Sequence, residues 1–390
     1  MTEPKPLRAH ASCDAGLEAV VLAELHALGV TDARTAARGV DFRADWRTIW
    51  RCNLRCRVAN RVLVSVASAT VEGRDPLYDL IVSLPWEEWF PVTRTLAIAA
   101  HGVTPALTNT VFTAQLCKDA VCDRFRRVTG RRPSVDLERP DVVIDVRLRG
   151  RDVMVSLDTS GARLHLRGYR AQAREAPLRE TLAAGLVALA GVDGATPFLD
   201  PMCGSGTIAI EAALRARRIA PGLQRLAPGT PGFSLTRLSS FDRRAFDDEV
   251  AACRAEERPA PARIRASDRD PRAIRVARDN ARLAGVLTSI DFSVADVATV
   301  TSDADRVILI TNPPYGVRLE AEDAVERTWS TLGDTLKQRF SGSSAFVLCP
   351  DRALERALGL SPTRRFPLYN GPIEVRLLQL DLWTGHRPSP

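Results

Sequence analysis

The segment ILITNPPYGVRLE, residues 308–320, runs an apolar strand into Asn312, Pro313, Pro314 and Tyr315. Each proline fixes φ and lacks a backbone donor, so the pair is excluded from a helix interior or a central strand. Residues 312–315 therefore form a rigid elbow at a strand end. Three other strand ends carry carboxylates. In FLDPMCGSGTIAIEAAL a strand ends in Asp200, turns through Gly204, Ser205 and Gly206, and enters a helix at Thr207. Backbone without side chains lets a ligand lie close against such a turn. The turn lacks the third glycine of the dinucleotide fingerprint and the lysine of a phosphate-binding loop, which argues against NAD and ATP. Asp268, at the end of ARIRASD, is placed to accept from two ribose hydroxyls, and Asp296, at the end of SIDFSVAD, from the amine of an adenine. Both aspartates are also candidate helix N-caps, although Asp270, just before Pro271, competes with Asp268 for that role.

These strand ends need elements that hold them side by side. From residue 197 onward the strands TPFLD, ARIRASD, SIDFSVAD and RVILITN alternate with helices over 207–219, 269–285 and 323–340, followed by SSAFVLCP and EVRLLQLDLW. That alternation predicts a mostly parallel, doubly wound sheet, which binds ligands at its C-terminal edge. Residues 220–260, with their Pro, Gly and Arg, interrupt it as an insertion. Upstream the pattern is α+β. It shows a helix within 11–30 with Asp14 as N-cap and Gly29 as stop, strands in ANRVLVSVASATV and RTLAIAAHGV, a helix from Thr108 to Thr129 closed by Gly130, and two strands around Arg149-Gly150.

A chain of 390 residues with 45% hydrophobic content buries more than one core. It holds no apolar run of about 18 residues and no apolar signal core in MTEPKPLRAH, so a cytoplasmic location with no membrane partner is expected. The eight cysteines show no paired C-x-x-C spacing; reduced, packed thiols are expected, and no metal. Of the net charge of +7, residues 1–170 carry +5, from 25 Lys and Arg against 20 Asp and Glu. Such an excess suits a polyanion such as nucleic acid. Within it, Arg124, Arg127 and Arg131 recur every three to four residues and, with Lys118, make a stripe suited to a phosphate backbone; a solvated helix face gives the same pattern.

The ordered strand-end features followed by NPPY resemble class I S-adenosylmethionine-dependent methyltransferases that act on amines, whose signature is a [D/N/S]-P-P-[Y/F/W] elbow. LDTSGARLHLRGYRAQAREAPLRETLAAGLVALA, together with FLDPMCGSGTIAIEAAL and TNPPYGVRL, further resembles the THUMP-domain RNA methyltransferases, in particular the bacterial 23S rRNA guanine-N2 enzymes. The resemblance covers nearly the whole chain. It implies an α/β fold with a Rossmann-like seven-stranded methyltransferase domain over 166–390, whose residues 166–176 are a linker. Before it would come an α+β module, a ferredoxin-like segment over 1–60 and a THUMP RNA-binding domain over 61–165. It implies that Asp200, Cys203, Gly204, Ser205, Gly206 and Thr207 contact S-adenosylmethionine, Asp268 its ribose and Asp296 its adenine. The helix from Pro177 would cover the methionyl carboxylate, with Arg179 as ion partner where the family more often has Lys.

An exocyclic base amine is a poor nucleophile because its lone pair is conjugated with the ring. If the Asn312 side-chain oxygen and the Pro313 carbonyl accept its two N–H groups, the nitrogen is drawn toward tetrahedral geometry, with the prolines holding the acceptors still. Tyr315 would stack on a flipped base, Gly316 leave room and Arg318 contact phosphate or base. Arg163, Arg167 and Arg170 would continue the RNA path. The elbow has no cysteine, which disfavours covalent pyrimidine methylation. Direct transfer to guanine N2 of 23S rRNA by a monomer is the expectation. Guanine N2 of tRNA, adenine N6, and a non-catalytic RNA-binding assembly factor are the rivals.

Overall fold

The computed structural model describes residues 6–170, 178–315 and 322–383. They form two units, each built on its own seven-stranded sheet. The first takes the chain up to Cys13, Val21–Leu166 and Arg225–Ala252; the second takes Asp14–Val20, Arg167–Gln224 and the chain from Cys253.

In the first unit β1 (Leu7–Ser12), β2 (Ala33–Ala36), β3 (Gly39–Ala44), β4 (Arg61–Thr70), β5 (Leu96–His101), β6 (Val142–Arg149) and β7 (Asp152–Asp158) lie in the order β2-β3-β1-β4-β7-β6-β5. All pairs are antiparallel except β5 with β6. β4 pairs with β1 on one side and β7 on the other, so the ladder runs unbroken past residue 60. The expected helix closed by Gly130 is Thr110–Thr129: the Asn109 side chain accepts from the amides of Val111 and Phe112, and Gly130 ends it at φ 70°. Its Cys117, Val121 and Phe125 pack on Trp86, Phe90, Val142 and Val155. The helix expected within 11–30 is shorter, Glu18–Ala27: β1 takes Ala11 and Ser12, and a turn with Gly16 at φ 91° precedes the first helical residue. Asp14 does not cap it; its carboxylate pairs with Arg179.

The insertion expected over 220–260 contributes Arg225–Ala252 to this first unit. Arg225, 1% exposed, donates to the carbonyls of Ser160, Ala162, Arg163, Leu166 and Gly232 and lies over the Phe233 ring. Glu249, in the helix Arg243–Ala255, accepts from Arg47 at 2.6 Å and Arg51 at 3.0 Å. A buried guanidinium and a buried carboxylate, both fully hydrogen-bonded, thus tie the insertion to its unit.

In the second unit β8 (Phe198–Asp200), β9 (Ile264–Asp268), β10 (Ile290–Val294), β11 (Ile308–Thr311), β12 (Ser344–Cys349), β13 (Arg364–Asn370) and β14 (Ile373–Asp381) take the order β10-β9-β8-β11-β12-β14-β13. The first five are parallel, and β14 runs antiparallel to both of its neighbours, β12 and β13. The core strands read as unbroken apolar runs, as buried parallel strands do. Trp329, Leu332 and Leu336 of the helix Glu322–Arg339 pack on Leu309, Val347 and Leu378. All eight cysteines are buried and none forms a disulfide, and no helix among the described residues is long and apolar enough to cross a membrane.

Candidate active site

The chain enters the second sheet at β8, builds outward to β10, and returns to the other side of β8 at β11. Between β8 and β11 the connections leave in opposite directions, which opens a crevice at the carboxyl ends. A cavity of about 590 Å³ lies there, walled by Gly204, Asp268, Arg269, Asp296, Asn312 and Pro314 and, from the helix Glu322–Arg339, by Arg327 and Thr328. Its size suits a small organic ligand.

The glycine turn is built for close approach on one side and close packing on the other. Gly204 and Gly206 have φ of 51° and 81°. A Cβ on Gly206 would lie 2.9 Å from the Ala277 Cβ, so its absence lets the helices Thr207–Ala216 and Pro271–Leu283 meet. A Cβ on Gly204 would meet nothing within 4 Å, which leaves the cavity side of the turn open. Asn280 holds the turn by donating to the Ser205 carbonyl at 3.0 Å, and the Thr207 hydroxyl sits 3.2 Å from that of Ser205.

Asp268 accepts the Gly204 amide on one oxygen and the Asp270 amide on the other, both at 2.9 Å. The carboxylate is thereby immobilised, with a further lone pair on each oxygen for a hydroxyl. Asp270, not Asp268, caps the following helix. For Asp296 both readings hold: it accepts from the Ala298 amide at 2.9 Å as the cap of a short turn, and it lines the cavity. Asp200 is 1% exposed, lies beneath the turn and accepts from the Met202 amide at 3.3 Å. Burial, reinforced by the charge of Asp268, pushes its pKa from 3.8 up to about 8. Burial likewise holds the Cys203 thiol well above its usual range, consistent with a packing residue and not a nucleophile.

The elbow carries the one anomaly in the cavity wall. Asn312 Oδ1 is buried with no hydrogen-bond donor among the described residues. A buried amide oxygen left unsatisfied costs about 1–3 kcal/mol, and such atoms mark places where a ligand completes the network. Its neighbours are fixed. The indole N–H of Trp329, a fully buried side chain, donates to the Pro314 carbonyl at 3.0 Å, and the Asn370 amide donates to the Tyr315 hydroxyl at 2.8 Å. The Tyr315 ring packs on the core around Trp329 and does not line the cavity.

The structure therefore brings Gly204, Asp268, Asp296, Asn312 and Pro314 together and sets Asp200, Cys203, Ser205, Gly206 and Thr207 behind them. Arg179 pairs with Asp14 at 3.6 Å, and Arg170 with Glu180 at 2.7 Å. Arg167 is a correction. It is 1% exposed and 3.5 Å from Glu211, which also accepts from Tyr169, so it is a core ion pair and not an RNA contact. Along the basic stripe Arg124 is clamped by Glu87, Lys118 pairs with Asp119, and Arg127 donates to the Val82 carbonyl, while Arg131 is exposed. Pro177, Gly316 and Arg318 lie outside the described residues. Trp329 and Asn370 escaped the sequence reading. The only signal was that a tryptophan on a buried helix face needs an acceptor for its N–H.

A doubly wound sheet with one reversed strand, β14, inserted beside its edge, and acidic residues and an Asn-Pro-Pro elbow at successive carboxyl ends, defines an S-adenosylmethionine-dependent methyltransferase. The chain belongs to the RMKL-like methyltransferase family, whose domain matches residues 167–379; a THUMP domain matches 74–158 and the RlmL ferredoxin-like domain 8–63. A Synechocystis sp. protein provisionally named an RNA methyltransferase is 37% identical over 369 residues, 94% of this chain and 95% of that one. The ribosomal RNA large subunit methyltransferase K/L of Syntrophotalea carbinolica is 38% identical over 97% of this chain, which spans about half (54%) of that relative. A crystal structure of a provisionally assigned methyltransferase complexed with SAH superposes with a TM-score of 0.87 at 28% identity, over 98% of this chain and 100% of that one.

Proposed function

We propose that the protein methylates the exocyclic N2 of a guanine in large-subunit ribosomal RNA, with residues 1–60 and 61–165 forming the ferredoxin-like and THUMP parts of an RNA-binding module ahead of the methyltransferase domain, 166–390. The observation that carries the reading is the buried, partnerless Asn312 Oδ1, which shares a cavity with Asp268 and Asp296. The names of the K/L relatives support a ribosomal substrate, and the basic excess of the first 170 residues supports a polyanion.

The cavity fits S-adenosylmethionine by its donor set: an immobilised carboxylate with lone pairs to spare at Asp268, a second carboxylate at Asp296, and open backbone at Gly204. The cofactor supplies an electrophilic methyl group on a sulfonium. Asn312 accepts an N–H from the target amine, withdrawing the nitrogen from conjugation and aiming its lone pair. Trp329 and Asn370 hold the elbow, so little reorganisation is needed as charge develops on that nitrogen. Asp268, Asp296 and the Gly204 backbone would hold the cofactor that supplies the methyl group, and the methylated amine, held on Asn312, passes its surplus proton to solvent.

The test is incubation with isotope-labelled S-adenosylmethionine and unmodified total RNA, followed by nucleoside mass spectrometry of separated rRNA and tRNA. Label in N2-methylguanosine of large rRNA is the expected result. Label in tRNA, or in N6-methyladenosine, overturns the substrate, since Asn312 reads an NH2 and adenine also presents one. Absence of label from both pools, with no binding of the cofactor, revives the non-catalytic reading.

A further inference from the structure

A second cavity of the methyltransferase unit, about 710 Å³, is lined by Arg352, Glu355, Arg356, Arg365, Pro367 and Arg376. Four guanidiniums face one carboxylate, and Glu355 is committed to Arg365 at 3.0 Å. Arg352, Arg356 and Arg376 have no ion-pair or hydrogen-bond partner among the described residues. The nearby Asp351 is occupied as a cap on the amides of Ala353 and Leu354, and Glu374, two residues from Arg376, is not part of the lining. Unbalanced arginines cost Coulomb repulsion, and planar guanidiniums match phosphate oxygens in pairs.

The cavity opens at the catalytic edge of the sheet. Arg376 pairs across from Cys349, the last residue of β12, and Thr311, just before Asn312, pairs with Val347 two residues earlier on the same strand. At about 4.8 Å per strand, the hairpin of β13 and β14 lies roughly 10–15 Å from the elbow. The same hairpin carries Asn370, which holds Tyr315.

We propose that this cavity binds the phosphate backbone of the RNA strand flanking the target nucleotide, so that the methyltransferase unit grips its substrate itself. The inference rests on the reading of the protein as an RNA methyltransferase. It is tested by comparing wild type with the R352Q/R356Q/R376Q variant for binding and methylation of unmodified large rRNA across a salt series. Expected are a rise in KM and Kd for RNA of about tenfold or more, with kcat little changed, and a salt slope shallower by about 2, at about 0.7 for each lost phosphate contact. S-adenosylmethionine binding should be unchanged, and the corresponding Arg→Lys variant should restore the salt slope but only part of the affinity, since lysine keeps the charge and loses the paired contact. Equal Kd and slope in variant and wild type overturn the proposal. If millimolar inorganic phosphate binds the cavity but does not compete with RNA, the site is one for free phosphate and the proposal also fails. Wild type that binds rRNA through these arginines yet methylates none would sink the functional reading and leave the cavity assignment standing.

Discussion

Asn312 and Trp329 divide the work of the elbow between contact and support. Asn312→Ala is expected to lower kcat by about 10²–10³, the cost of removing one preorganised partner of a reacting group. Cofactor Kd should change by no more than a factor of about three; a larger loss would make Asn312 a cofactor ligand first. Trp329→Phe keeps the apolar ring but strands the Pro314 carbonyl, which predicts a loss of about 1–3 kcal/mol in stability, read by denaturant unfolding, and a fall in kcat without loss of cofactor binding. Asp200 makes a different, pH-dependent contribution. Its carboxyl titrates near 3.8 when exposed and near 8 when folded, so between those values the folded chain holds a proton that the unfolded chain has released. Stability from this group therefore falls as pH rises through that window. Asp200→Asn should gain on wild type as pH rises from about 5 to about 8, with a ceiling of about 4 kcal/mol over that range; parallel Tm curves would sink this account.

At the scale of elements, the glycine turn makes two demands that a pair of substitutions separates. Gly206→Ala meets both a positive φ and Ala277 at 2.9 Å, and should destabilise the fold by about 2–4 kcal/mol. Gly204→Ala meets only the positive φ, costing about 1–2 kcal/mol, but puts a methyl on the cavity side. The expected signature is a modest Tm loss with cofactor affinity down about tenfold or more for Gly204→Ala, read by calorimetric titration. Equal effects of the two substitutions on cofactor binding would mean that the turn is structural on both sides. Much of this was legible in advance. Strand, turn and helix follow within ten residues of one another, and periodicity reports such local order well. The helix expected within 11–30 starts only at Glu18, after a turn in which Gly16 takes φ 91°, and Leu7–Ser12 before it is the strand between β3 and β4, a pairing that no local pattern encodes.

Over the whole molecule, Arg225–Ala252 leaves the methyltransferase half of the sequence to complete the first unit. Arg51 and Arg47 hold the Glu249 carboxyl below its usual range against the opposing effect of burial. That stability is present above about pH 4.5 and is lost as pH falls through the folded pKa, the opposite sense to Asp200. Glu249→Gln should cost about 2 kcal/mol at neutral pH, since both arginines are partly solvated, and the difference from wild type should shrink toward pH 3. A difference that does not vary with pH would assign the loss to packing alone.

The sequence by itself determined the class of fold, the order of its strand ends and the residues at each, because a strand end, a glycine turn and a proline elbow are each decided by a few adjacent residues. Only the tertiary structure decided which charges are spent and which are free. Arg167 looked like a surface contact and is buried on Glu211, whereas Arg352, Arg356 and Arg376, unremarked in the sequence, converge on one cavity. It also decided what steadies the elbow: Trp329 and Asn370 reach Pro314 and Tyr315 across 15 and 55 residues. Partners that far apart are chosen by sheet order, strand register and packing, which periodicity along the chain does not carry.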